Sequence, residues 1–226
     1  MLSLDTIPIY CINLEKQIDN YYHINNIFKQ YNLNVIRWNA NTPDNINYKF
    51  ADYLTPQQRA CTCSHLNLYN YLIQSNIDVA MILEDDAALR YDWKDIVNNK
   101  LLTIQQDDPD WHCLFLNISG VITPLNTWMI CKDQCLSAGY IINIKGMTII
   151  RDYYHVENRY YCIDWMTQHL QWYDHSYSYF PWLIIQKDHQ SNINSNKVNE
   201  DYEKVKTILK QYNYSLLNYD IIDFNI

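Results

Sequence analysis

Apolar residues along this chain recur in two periods. The runs Ile7-Pro8-Ile9-Tyr10-Cys11-Ile12 and Val79-Ala80-Met81-Ile82-Leu83 have no polar face, and they predict strands buried on both sides. Between them Ile18, Tyr21, Ile24, Phe28 and Tyr31 fall on one helical face. Residues 35–38 predict a short strand, followed by a polar loop rich in Asn, Asp and Pro. Thr55-Pro56-Gln57-Gln58 is a helix start, with Thr as N-cap, Pro at the first position and Gln placed for a capping box. That helix carries Leu66, Tyr69, Leu72 and Ile73. Further strands are predicted over 113–118, 136–144 and, despite Pro181, 178–185; helices are predicted over 146–154 and about 200–212. Strands alternate with helices and no linker or repeat interrupts them. The pattern predicts one α/β domain over residues 1–226 with a mostly parallel central sheet.

The second buried run ends in three acids, Glu84-Asp85-Asp86. A buried strand that ends this way gathers carboxylates in the crevice beyond its carboxyl end, where open α/β sheets bind ligands. On extended backbone Glu84 and Asp86 share a side and Asp85 faces away. Clustered carboxylates repel one another, so the arrangement suits a cation; a solvated strand exit is the plainer alternative.

Composition narrows the functional classes. The chain has 226 residues, 48% of them hydrophobic and 19% charged, and so is globular rather than disordered. Its 17 basic and 25 acidic residues give a net charge of −8, which disfavours nucleic acid as a partner. An anionic ligand would need a metal or directed backbone amides. The seven cysteines, an odd number, argue against a disulfide framework and for reduced, buried thiols. Cys61-Thr62-Cys63 with His65 lacks a second pair of zinc ligands, so a structural zinc site is disfavoured. No leader and no membrane span is evident, which predicts a cytoplasmic protein. The abundance of Asn, Ile and Tyr fits an AT-rich genome; if that genome is viral, the compartment is the host cytoplasm. There is no G-x-G-x-x-G and no Walker loop, so the ordinary dinucleotide and P-loop readings fail.

Three segments carry a resemblance. Ile12-Asn13-Leu14, Ala60-Cys61-Thr62-Cys63-Ser64-His65-Leu66 and Ile82-Leu83-Glu84-Asp85-Asp86-Ala87 occur in the order seen in glycosyltransferase family 25. Ser137-Ala138-Gly139-Tyr140, Ile163-Asp164 and Ser191-Asn192-Ile193 resemble the family's later elements. The resemblance implies a glycosyltransferase-A (Rossmann-like) fold. It also implies a nucleotide-sugar donor, Mn²⁺ or Mg²⁺, and inverting transfer of galactose or glucose, UDP-linked, to a hydroxyl on a glycan or glycoprotein. Asn20 stands where the family commonly has Arg, Ala60 where a glycine is usual and Asn192 where Asp is frequent. The missing Arg bears on donor binding.

On that resemblance Asp86 is the principal metal ligand and Glu84 an accessory one, with His189 a third ligand or a surface histidine. Asn13 and Leu14 are expected at the nucleotide, with Asp85 on ribose or sugar hydroxyls. Ser64 and His65 are expected to organise the donor pocket, or His65 to brace the acidic loop. An inverting displacement needs a base opposite the leaving diphosphate, and Asp164 is the candidate; the competing reading makes it a helix N-cap. Trp165, Trp172 and Tyr140 are expected to stack on acceptor sugars, or to be core. A non-catalytic nucleotide- or glycan-binding module and a metal-dependent phosphohydrolase are the other classes. The second leaves the Asn-Leu and Ser-His elements unexplained.

Overall fold

The computed structural model describes residues 1–135, 137–156, 161–187 and 198–220. Its strands are β1 (Ile9–Asn13), β2 (Val35–Asn39), β3 (Val79–Glu84), β4 (Ala87–Leu89), β5 (Cys113–Phe115), β6 (Thr127–Ile130), β7 (Gly139–Asn143), β8 (Ser176–Phe180) and β9 (Ile184–Gln186). The helices are α1 (Ile18–Gln30), α2 (Pro56–Gln74), α3 (Trp93–Asp107), α4 (Ile144–Val156), α5 (Ile163–His169) and α6 (Val198–Gln211).

Seven strands form the central sheet in the order β2-β1-β3-β7-β5-β8-β6. Strands β2, β1, β3, β5 and β8 run one way, while β7 and β6 oppose them. The sheet is thus mostly parallel, an α/β architecture consistent with the glycosyltransferase-A expectation. Side chains of β1 and β3 alternate between two cores. Ile9, Cys11, Met81 and Leu83 meet Ile24 and Phe28 of α1 and Trp93 and Val97 of α3. Tyr10, Ile12, Ala80 and Ile82 meet Leu66, Tyr69 and Leu72 of α2 with Met147 and Ile150 of α4. Burial on both faces is why these strands read as unbroken apolar runs.

The predicted capping box forms: Thr55 accepts from the Gln58 amide, and the Gln58 side chain accepts from the Thr55 amide. The strand expected over 178–185 is corrected. It divides at the cis Phe180–Pro181 bond into β8, in the main sheet, and β9, which pairs with β4 in a second sheet. Proline supplies no amide to a ladder, so the chain changes sheets there. The division matters because β9 returns beside the acidic turn.

Candidate active site

Strand β1 lies between β2 and β3; the chain crosses from β1 to β2 through α1 and then back past β1 to β3 through α2. That is a topological switch point, where the crevice beyond the strand ends takes ligands. Here β1 ends at Asn13 and β3 at Glu84, with Ile12 and Glu84 in register.

Asn13 is almost fully buried and ties the crevice together. Its Nδ2 donates to the Gln17 carbonyl at 2.8 Å and to Asp85 Oδ2 at 2.6 Å. Its Oδ1 accepts from Arg37 Nε at 2.7 Å, while Arg37 Nη2 is buried with no hydrogen-bond partner. Leu14 follows at the cap of a short turn. Asn20 lies close enough to Asp85 to favour its ionised form, but burial, together with the neighbouring Glu84 charge, pushes its pKa up to about 6.

The strand ends at Glu84, so the alternation expected to put Glu84 and Asp86 on one side does not continue: Asp85 and Asp86 form the turn into β4. The Asp86 backbone carbonyl accepts from the Lys187 amide at 2.8 Å, and its Oδ2 faces Gln186 Nε2 at 3.5 Å. Its Oδ1 is buried without a partner. Burial, then the charges of Glu84 and Asp85, raise its pKa well above the carboxylate range. Lys187, also buried, has its pKa lowered to about 8 by desolvation, against the pull of Asp86.

Glu84 turns toward α2. Its Oε1 accepts from Ser137 Oγ at 2.7 Å and lies 3.4 Å from His65 Nε2 and 3.9 Å from Cys61 Sγ. Burial opposes its ionisation, but His65 and Ser137 more than offset this and hold its pKa below the usual range. Ser137 Oγ also lies 2.8 Å from Asp164 Oδ1. A serine has one proton to donate, so it serves only one of the two carboxylates at a time. Of the pair, Asp164 takes up a proton first as pH falls: burial, then the Glu84 charge, raises its pKa to about 6. Asp164 is not the helix cap, because α5 starts at Ile163 with Cys162 as its N-cap. The Ile163 amide is anchored on Thr62 Oγ1 of α2, which sets Asp164 opposite Glu84.

Ser64 and His65 are both fully buried, so they brace the crevice from within. Ser64 accepts from the Asn41 amide and donates to the Ala60 carbonyl, each at 2.8 Å. His65 Nδ1 pairs with the Tyr140 hydroxyl at 2.7 Å. Tyr140 has no exposure, so of its two expected places, sugar platform or core, it takes the core. Trp165 and Trp172 are exposed, and Trp172 joins Tyr153, Tyr161, Tyr173 and Asp152 around an open groove of about 630 Å³. His189 lies outside the described residues. Sequence reasoning missed Arg37, Ser137 and Lys187. Ser137 stands in a segment quoted for the family resemblance but was given no role, Arg37 and Lys187 sit in no distinctive motif, and each reaches the crevice through pairing across the sheets.

The model of glycosyltransferase family 25 (LPS biosynthesis protein) matches residues 6–119. This chain belongs to glycosyltransferase family 25. Comparison with curated proteins finds no match. Among solved structures, a glycosyltransferase involved in the glycosylation of the major capsid of PBCV-1 covers 89% of this chain and 98% of its own, with 10% identity and a TM-score of 0.39. That likeness is too slight to add to the family match. The family 25 segment contains Asn13, Arg37, His65 and the acidic turn, while Ser137, Asp164 and Lys187 come from beyond it. Asn20 lies beside Asp85, and Arg37 brings a guanidinium to the carboxamide of Asn13, which donates to Asp85.

Proposed function

We propose that this glycosyltransferase moves galactose or glucose from a UDP-sugar to a hydroxyl of a glycan or glycoprotein, with inversion and with Mn²⁺ or Mg²⁺. The observation that carries the reading is the Asp86 carboxylate. It is buried, crowded by Glu84 and Asp85, and has an oxygen without a partner at the mouth of β1 and β3. Such a carboxylate fits a hard divalent cation, which prefers oxygen ligands and is commonly held by one or two carboxylates plus substrate phosphates. Asp86 would hold the ion, and Glu84 would add its charge. When bound, the ion offsets the negative charge that develops on the departing diphosphate.

The chain's own residues do the rest. Asn13 and Leu14 meet the nucleotide, and Asp85 takes its ribose or sugar hydroxyls. The guanidinium of Arg37 and the ammonium of Lys187 add positive charge for the diphosphate. Asp164 accepts the acceptor hydroxyl proton as that oxygen attacks the anomeric carbon. Ser64 and His65 hold α2 against the loop after β2 and the end of β3. The acceptor lies along the aromatic groove, where Trp172 and neighbouring tyrosines offer faces for sugar C–H groups and Asp152 accepts from hydroxyls. Residues 1–226 act as one transferase unit, because the segment beyond the family match supplies the base.

A thermal-shift panel of nucleotide sugars with and without Mn²⁺ tests this, followed by donor hydrolysis on any hit. A ligand specific for the native state stabilises it by about 2.7 kcal/mol at a hundredfold excess over its Kd. The expected result is a manganese-dependent shift with one UDP-hexose. No shift with any donor, in a folded sample, would favour a non-catalytic module.

A further inference from the structure

Apart from Asp86, the crevice wall holds a second set of donors with different chemistry. Cys61 and His65 are four residues apart on α2 and so share one helix face. They meet Glu84, arriving from the end of β3. One ligand atom from each lies within 4.8 Å of the other two, and no other such group of three His, Cys, Asp or Glu donors occurs among the described residues.

The distances are informative. His65 Nε2 to Glu84 Oε1 is 3.4 Å, and Cys61 Sγ to the same oxygen is 3.9 Å. The first is long for a charge-assisted hydrogen bond and the second is at the far limit for a sulfur donor. With bond lengths of roughly 2.0 Å to nitrogen and oxygen and 2.3 Å to sulfur, tetrahedral zinc separates its N and O ligands by about 3.3 Å and its S and O ligands by about 3.5 Å. The observed separations lie within a few tenths of an ångström of those values. His65 has no exposure, and its Nε2 has no hydrogen-bond partner although it points into the cluster. Its other nitrogen is held by the Tyr140 hydroxyl, which is itself paired with the Tyr69 hydroxyl. A metal-binding histidine is oriented through its second nitrogen in this way.

We propose that Cys61, His65 and Glu84 bind a zinc ion through one sulfur, one nitrogen and one carboxylate oxygen, with the fourth position left to water. The mixed donor set selects zinc over manganese or magnesium, which prefer oxygen alone. The site differs in its donors from the cation site at Asp86 but shares Glu84 with it, and its test does not depend on the donor-site reading. Binding converts the Cys61 thiol to thiolate and releases its proton to solvent. The ion would pin the end of β3 to α2 and thereby hold the acidic turn in place. Cys63, two residues on, faces Asn47 and takes no part.

The test uses the full chain stripped with a chelator and titrated with Co²⁺ as a spectroscopic stand-in for zinc. The expected result is a thiolate-to-cobalt charge-transfer band that saturates at one equivalent, is displaced by Zn²⁺, and is lost in C61S and H65Q. No band in a folded sample overturns the site. So does a band that survives in folded C61S, since another cysteine would then be the ligand. If neither variant folds, X-ray absorption of the zinc-loaded wild-type protein decides: one sulfur in the shell supports the assignment, and a sulfur-free shell overturns it.

Discussion

Between Glu84 and Asp164 stands a single hydroxyl, that of Ser137, within 2.7 Å of one carboxylate and 2.8 Å of the other. Asp164, its pKa raised to about 6, is protonated below that value and ionised above it. A general base works only in its deprotonated form, so kcat is expected to climb with pH through about 6 and then level off. Asp164→Asn is expected to lower kcat by roughly 10²–10⁴-fold, leave donor KM little changed and remove that limb from the pH–rate profile. A profile unchanged in the variant would return Asp164 to a structural role. Arg37 is tested in the same assay. Hydrogen bonds to charged groups contribute about 1.5–3 kcal/mol, so Arg37→Gln is expected to raise donor KM about 10- to 100-fold with kcat little altered. An equal loss with donors lacking the diphosphate would mean that Arg37 serves only to hold Asn13.

Strand β7 crosses the middle of the sheet, and Gly139 begins it opposite Leu83 of β3. A Cβ at Gly139 would run into the Ile184 side chain of β9, the strand that returns beside Asp86. Overpacking of this kind costs about 1–3 kcal/mol, so Gly139→Ala is expected to lower Tm by roughly 3–10 °C in a thermal melt. An unchanged Tm would mean that β9 shifts freely. The same region marks how far the sequence could be read. Strands β1 and β3 were legible because burial on both faces leaves an unbroken apolar signature, and α2 because its cap is local chemistry. Strand β6 was not, since only four partly buried or exposed residues at the sheet edge form it. Helix α3 is absent from the predicted elements although its inward residues, Trp93, Val97, Leu101 and Ile104, recur at helical spacing. Asn13, the acidic turn and Asp164 were legible as strand ends and a helix start. The partners that define their chemistry were not: Ser137 meets Glu84 across 53 positions, and Gln186 meets Asp86 across 100. Spacing along the chain carries no trace of such contacts.

Across the whole molecule, the chain carries a net charge of −8, and four of its acids, Glu84, Asp85, Asp86 and Asp164, gather at the crevice, where they are hardest to solvate. Burial raises the pKa of Asp85 and Asp164 to about 6 and that of Asp86 well above its ordinary value, whereas an unfolded aspartate titrates near 3.9. A carboxyl whose folded pKa is raised binds its proton more tightly in the native state. Its stabilising contribution is therefore present at low pH and is lost as pH rises through the folded value. Glu84 and Asp108 are held low, so their contribution is lost only as pH falls below the ordinary carboxylate range. Asp220 is raised by burial as well, while His112, with a lowered pKa, opposes the trend near neutrality. Between pH 7 and pH 5 the raised carboxylates dominate, and the metal-free protein is expected to melt several degrees higher at pH 5. A divalent cation at Asp86 competes with that proton. Saturating Mn²⁺ is accordingly expected to raise Tm strongly at pH 7 and weakly at pH 5, closing the gap or reversing it. Melting curves at the two pH values, with and without Mn²⁺, measure both effects at once. A metal-free Tm that falls on acidification would show that these carboxylates are already compensated within the chain, and that the crevice needs no cation.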